Sequence, residues 1–360
     1  MRKLLVLRLL LGSNWVQAQT SFIDTKLSNF CFATLKRTMK EGVAEINEAS
    51  CVIMSGDGKV VTTVGIGQLK GKYKEIPTIN MEPIPVALTR AIHYLCLAEM
   101  VSHDYVVDAS GGYYVDSVTN SFIMDENRNL GGYGLITLDR AMDCSNVGVY
   151  KALLATYKKS MRAYGAAMRR SGIFFTTDTA AVSVDSDTPW KPYELMGGHS
   201  KYTMLQQVAW LSGVVLNQGR IVCRFRDTDP VEPICTALSS KKALGALRKA
   251  LVLAVDSGSA QALKTSGVEI GAVLNISEPD AIQFRTATGF ACLPMNNTGG
   301  YTIGVYVRKH ETAGRKMVAT ILRQIIDFLA EEGYVTAGKN SASYNETIKH
   351  SDNWVHPAQR

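Results

Sequence analysis

The sequence predicts an α/β fold in one large domain, a sheet packed against amphipathic helices. Two observations carry this. β-branched runs bounded by tight glycine turns occur at Ser50 to Ile66 and again between Thr288 and Val307. Apolar residues recur at helical spacing near the start, through the middle, and from Gly314 to Glu332. A chain of 360 residues has ample length to bury a core, and 46% hydrophobic with 20% charged residues is ordinary globular composition.

In chain order, Phe22-Ile23-Asp24-Thr25 opens a helix that turns Leu27, Phe30, Phe32, Leu35 and Met39 towards a core. Ser50 to Ile66 is a hairpin, its turn made by Gly56-Asp57-Gly58. Leu88, Ala91, Ile92, Leu95 and Cys96 form an i, i+3, i+4, i+7, i+8 stripe on the next helix, which Pro85 suits as a first-turn residue. Met161 to Ile173 reads as another helix, followed by a polar connector with Thr176, Thr177, Asp178 and Ser183. A helix within Tyr202 to Gly219 leads to a short strand, Arg220 to Phe225. Ser239 or Ser240 is placed to N-cap an amphipathic helix over Ala243 to Val255. Strands follow at Val268 to Ile276, Thr288 to Ala291 and Tyr301 to Val307. The terminal helix, Gly314 to Glu332, buries Met317, Ile321, Ile325 and Leu329.

Met1 to Ala18 reads as a signal peptide: Arg2 and Lys3, an apolar run from Leu4 to Leu11, and Val16-Gln17-Ala18 as a small-residue cleavage site. A start inside a longer reading frame is the plainer alternative. The apolar run is far short of the roughly 20 residues a spanning helix needs, so no transmembrane span is predicted. Without Arg2, Lys3 and Arg8 the net charge falls from +7 to +4, too mild to argue for nucleic acid. The seven cysteines include no CxxC and are odd in number, which excludes a disulfide framework; Cys223 and Cys235 flank one loop and are a candidate pair. The six histidines have no ligand spacing, so neither a metal nor a cofactor is predicted.

The most informative stretch is Gly131 to Tyr157. A glycine-rich turn leads to Thr137, a good N-cap, and Leu138, Ala141 and Met142 then recur at helical spacing. Cys144-Ser145-Asn146 breaks the helix, and a second one carries Val147, Tyr150, Lys151 and Leu154. Short polar residues between apolar helices are also what a simple turn is made of.

This stretch resembles the serine–any–asparagine region of class B penicillin-binding proteins, the peptidoglycan transpeptidases, in particular the division-type enzymes of Bacteroidetes-like bacteria. Asn146, Val147 and Gly148 match that pattern, and Cys144 stands at its first serine. The resemblance runs from about Phe22 to Glu332. It implies a serine β-lactamase/DD-transpeptidase-like fold: an antiparallel sheet flanked by helices, with an all-helical lobe at about residues 85–216. The transpeptidase-like domain would span residues 19–332, and residues 333–360 a flexible tail.

At the family's catalytic positions the match fails. The resemblance puts Pro85 where the nucleophilic serine would be and Leu88 where its lysine would be, one turn later. Val273, Leu274, Asn275 and Ile276 stand where the third strand carries lysine-threonine-glycine-threonine, after Gly258-Ser259-Ala260. Arg285 to Thr288 is a weaker alternative for that motif, because Thr288 onward fits the next strand better. Acyl transfer needs an oxygen or sulfur nucleophile beside a base. Proline supplies no nucleophile and no backbone N–H for an oxyanion hole.

The expected reading is therefore a catalytically silent cell-envelope member of the family, a periplasmic pseudoenzyme. No catalytic residue is expected at the degenerate positions Pro85, Leu88, Cys144 and Val273. The groove candidates are Asn146, Ser145, Cys144 and Asn275, and the implied partners are a peptidoglycan stem peptide or proteins of the division or elongation machinery. One alternative is an acyl-transfer enzyme with a relocated nucleophile, Cys144 or Ser145. Another is a decaying paralogue without activity. Ser239 with Lys242 is the one serine–any–any–lysine in the chain, and Ser239 reads as a capping residue rather than a nucleophile.

Overall fold

The computed structural model describes residues 22–41, 46–69, 72–78, 86–116, 121–157, 202–234, 238–265, 267–276, 284–295, 299–310 and 314–335. The leader at residues 1–18, Pro85, the helix expected at Met161 to Ile173, the connector after it, and Cys235 lie outside them.

The predicted hairpin forms, with its first strand at the centre of the sheet. Strands β1 (Ile46–Ser55) and β2 (Val60–Leu69) pair antiparallel around the Gly56-Asp57-Gly58 turn. The full order is β3 (Lys72–Glu75), β2, β1, β10 (Tyr301–His310), β9 (Phe284–Leu293) and β8 (Gly271–Ile276). Because side chains alternate along a strand, the sheet feeds two cores. Cys51, Ile53, Leu274 and Val305 face α1 (Thr25–Glu41) and α7 (Gly314–Glu331). Val52, Met54, Val273 and Phe290 face the core that holds α2 (Val86–Ala98) and α5 (Met204–Val215). The expected antiparallel sheet backed by the terminal helices is what the chain forms.

Helix starts follow local chemistry. Asp24 accepts the Leu27 N–H at 2.9 Å and opens α1. Ser240, not Ser239, caps α6 (Lys241–Asp256) by accepting the Ala243 N–H at 3.2 Å. Ser239 instead hydrogen-bonds to Glu99. Thr203 and Gln206 make a capping box at α5.

Two expectations are corrected. The inserted lobe is not all-helical: after α2 come two small antiparallel sheets, β4 (Val106–Ser110) with β7 (Gly132–Thr137), and β5 (Tyr113–Asp116) with β6 (Ser121–Met124). They are rich in β-branched and aromatic residues, and burial alternates along β4, as a half-buried strand requires. The glycine-rich turn is accordingly part strand. Gly132 pairs with Ser110 at a positive φ of 76°, and a Cβ there would run into the Gly111 and Gly112 backbone. Arg220 to Phe225 makes no strand but isolated bridges, Arg224 pairing with Lys59; the Gly58 turn sits tight against Val222 there. Of the expected tail, residues 336–360 lie outside the described residues, and its first residues pack on the fold. Val335 is buried, and the Tyr334 hydroxyl donates to Asp24 Oδ2 at 2.6 Å.

Candidate functional site

The site lies where α2, the junction between α3 (Leu138–Cys144) and α4 (Asn146–Tyr157), and β8 meet. Strand β8 ends the sheet order, whereas Arg285 to Thr288 lie one strand inward on β9. The structure thus favours Val273 to Ile276 over Arg285 to Thr288 as the segment beside the junction.

The junction is built from the sequence upward. Thr137 caps α3 by accepting the Arg140 N–H, as predicted. Ser145 then adopts extended backbone angles, φ −125° and ψ 112°, which stops α3. Its Oγ accepts the Gly148 N–H at 2.8 Å, which makes it the N-cap of α4. Its hydroxyl proton goes to Asp125 Oδ2 at 2.6 Å, and Asp125 Oδ1 accepts the Val147 N–H at 3.1 Å. A carboxylate placed at a helix N-terminus is favoured by the free N–H groups and the helix dipole. Ser145 and Asp125 are both buried. Burial pushes the Asp125 carboxyl above its usual range, against the Ser145 and Val147 hydrogen bonds that pull it down.

Cys144 points elsewhere. It is 6% exposed, and its thiol donates to the Arg140 carbonyl at 3.2 Å. Burial pushes its pKa up to about 11, with Arg140 the leading opposing influence. A thiol in that state is protonated at neutral pH and is a poor nucleophile.

One residue earlier, Asp143 fastens the junction to the loop before β8. It accepts the Ser259 hydroxyl at 2.6 Å, the Ser259 N–H at 3.0 Å and the Arg140 guanidinium at 2.6 Å. Gly258 permits this approach, since a Cβ there would lie 2.6 Å from Asp143 Oδ2.

Leu88 and Val273 are both 2% exposed and belong to the core that includes α2. The cation here is Arg90, buried at 1% exposure, whose Nη2 donates to the Leu274 carbonyl at 2.6 Å. Burial lowers its pKa, nearby Arg315 adds to that, and Asp143 is the leading charge that opposes it. Arg315 itself pairs with Glu126 at 3.0 Å, tying α7 to the lobe.

Of the groove candidates, the fold brings Asn146 and Asn275 together: the Asn275 amide donates to Asn146 Oδ1 at 3.4 Å. Ser145 and Cys144 are adjacent in sequence but turned into separate interactions. Arg90, Asp125 and Asp143 were missed, and Ser259 was read only as part of the Gly258-Ser259-Ala260 segment ahead of the strand. Only Arg90 left a signal, as a charge inside the apolar run of α2. Among the described residues no group of histidine, cysteine, aspartate and glutamate could hold a metal ion.

No protein-family description and no curated protein matches the sequence. Solved structures do match the fold. The transpeptidase domain of penicillin-binding protein 3 from Burkholderia pseudomallei superposes with TM-score 0.68 at 15% identity, covering 89% of this chain and 98% of that one. A peptidoglycan glycosyltransferase from Burkholderia ambifaria gives 0.65 at 15% identity, over 88% and 98%. A peptidoglycan synthetase from Bifidobacterium adolescentis gives 0.62 at 10% identity, over 88% of this chain and 62% of that one. The chain has the fold of penicillin-binding-protein transpeptidase domains. No described helix is long and apolar enough to cross a membrane.

Proposed function

We propose that this chain is a penicillin-binding-protein transpeptidase-like domain of the cell envelope that has lost acyl transfer. It would act by binding, either to peptidoglycan stem peptides or as a scaffold for division or elongation proteins. The observation that carries this reading is the commitment of the α3–α4 junction to structure. Ser145 is buried with its hydroxyl given to Asp125 and its oxygen to Gly148. Leu88 and Val273, at the positions the resemblance assigns to two catalytic lysines, are core residues. The Asn146–Asn275 amide pair is the polar feature left for recognising an amide.

The relocated-nucleophile alternative asks for a reactive Cys144 or Ser145. The raised pKa of the one and the two hydrogen bonds of the other argue against it. Export by the residue 1–18 leader belongs to the same proposal. Its support is that two proteins sharing the fold are named a peptidoglycan glycosyltransferase and a peptidoglycan synthetase.

The test is equilibrium binding of a stem peptide ending in D-alanyl-D-alanine, followed by chromatography of the peptide after prolonged incubation. Binding with the peptide intact is the expected result. Release of D-alanine overturns the proposal, and intact peptide without binding assigns the role to a protein partner.

A further inference from the structure

The N-terminal helix and the first strand bring two thiols into contact. Cys31 on α1 and Cys51 on β1 have their sulfur atoms 3.9 Å apart, and both side chains are fully buried. At that separation the sulfurs touch, with no room for an atom between them. A disulfide needs an S–S distance of about 2.05 Å, so closing the gap takes rotation of the two side chains and a slight shift of α1. The surrounding core is apolar, with Leu27, Leu35, Ile53 and Val64 in the same cluster.

We propose that Cys31 and Cys51 form a disulfide that staples α1 to the sheet when the chain meets a disulfide-bearing oxidant, such as oxidised glutathione or an oxidoreductase with a dithiol motif. One protein thiol loses its proton, and the thiolate attacks a sulfur of the oxidant. An S–S bond to the oxidant forms while the oxidant's own S–S bond breaks and its second sulfur leaves as a thiolate. The other protein thiolate then attacks the protein sulfur of this mixed disulfide. The Sγ–Sγ bond forms and the remaining oxidant sulfur leaves. Two electrons pass from the protein to the oxidant, and the two thiol protons end on the oxidant's sulfurs.

In the folded chain neither sulfur is accessible, so the first attack belongs to folding, before α1 docks on β1, or to a local opening of that helix. Once formed, the bond closes the chain between residues 31 and 51 and restricts the unfolded chain. Its effect is local to the α1 side of the sheet, where Asp24 already ties the helix to Tyr334. The inference rests on the α1–β1 contact alone and is independent of the proposed function.

The full chain is tested in two preparations: refolded from denaturant in a mixture of reduced and oxidised glutathione, and held folded with oxidised glutathione for days. Each is then denatured and alkylated, weighed intact and digested without reduction. In at least one preparation the expected result is five alkyl groups on the seven cysteines. The digest would contain a peptide pair joined through Cys31 and Cys51, and Tm would stand several degrees above that of the reduced chain. A Cys51→Ala variant, which keeps a small apolar side chain, loses the linked pair and shows no shift of Tm with oxidant. Seven alkyl groups in both preparations, or linkage of either cysteine to a different one, overturns the proposal.

Discussion

The Ser145 hydroxyl hands its proton to Asp125 at 2.6 Å while its oxygen takes the Gly148 N–H at 2.8 Å. A serine between two helices is thereby a cap and a tether at once, joining the start of α4 to the loop after β6. Ser145→Ala strips the cap and leaves a buried carboxyl short of a donor. Loss of a cap costs about 1 kcal/mol and a buried unpaired group about 1–3 kcal/mol. The expected loss is therefore about 2–4 kcal/mol by urea denaturation, and a change below about 0.5 kcal/mol would contradict the double role.

Two carboxyls should respond to pH with opposite sign. Asp125 is raised by burial, so the folded state holds its proton more tightly than the unfolded chain does. Its contribution is fully present below the ordinary aspartate value of about 3.9 and is lost as pH rises through the raised value. Asp24 is pushed up by burial but pulled further down by hydrogen bonds from Tyr334, Leu27 and Lys26. Its contribution is present above the ordinary value and is lost as pH falls through the lowered one. Relative to Asp125→Asn, wild-type stability should decline from acid towards neutrality. Relative to Asp24→Asn it should decline in the other direction. Melting curves at several pH values check both slopes.

Arg90 is the buried cation of the site, and its partner on β8 is a backbone carbonyl. Arg90→Met keeps bulk but removes the charge near Asp125 and Asp143 and the hydrogen bond to Leu274. Removing one member of a buried charged set costs roughly 3–5 kcal/mol. Arg90→Lys should recover little, because an ammonium cannot reproduce the planar donor fork. Denaturant unfolding of the pair measures this; equal stability of Arg90→Met and wild type would remove Arg90 from the account.

Gly304 sets how closely α5 approaches β10. A Cβ there would press on Val208, with Met204 Cε at 2.9 Å and a Phe290 ring carbon at 3.1 Å. Overpacking of a dense core costs about 1–3 kcal/mol, which is the loss expected for Gly304→Ala. Adding Val208→Ala should return part of it, since the two changes share one contact. Strict additivity of the two losses would contradict the geometry.

What the sequence disclosed was what neighbours in the chain decide. The Gly56-Asp57-Gly58 hairpin, the Thr137 cap and the break at Cys144-Ser145-Asn146 rest on interactions a few residues long. So do the buried stripes of α1 and α7. The small sheets of the lobe escaped because Gly131 and Gly132 read as a turn, while the close approach of Gly132 to the Gly111 and Gly112 backbone is tertiary. The inner workings of the site escaped for the same reason. Arg90 reaches Leu274 across 184 residues and Asp143 reaches Ser259 across 116, and no local pattern announces either. Asp125 caps a helix that begins 21 positions after it, so propensity gave it no role.

The central claim is that the transpeptidase-like fold persists without a usable nucleophile, and acylation tests it most directly. The purified chain from Phe22 onward is incubated with a broad β-lactam, weighed intact and digested for mapping. The account predicts an unchanged mass from a protein that melts cooperatively. With a pKa of about 11, Cys144 is almost wholly protonated near neutral pH, and Ser145 is fully buried with its proton given to Asp125 and its oxygen accepting the Gly148 N–H. An acyl adduct mapped to Cys144 or Ser145 would contradict it and restore an active acyl-transfer enzyme.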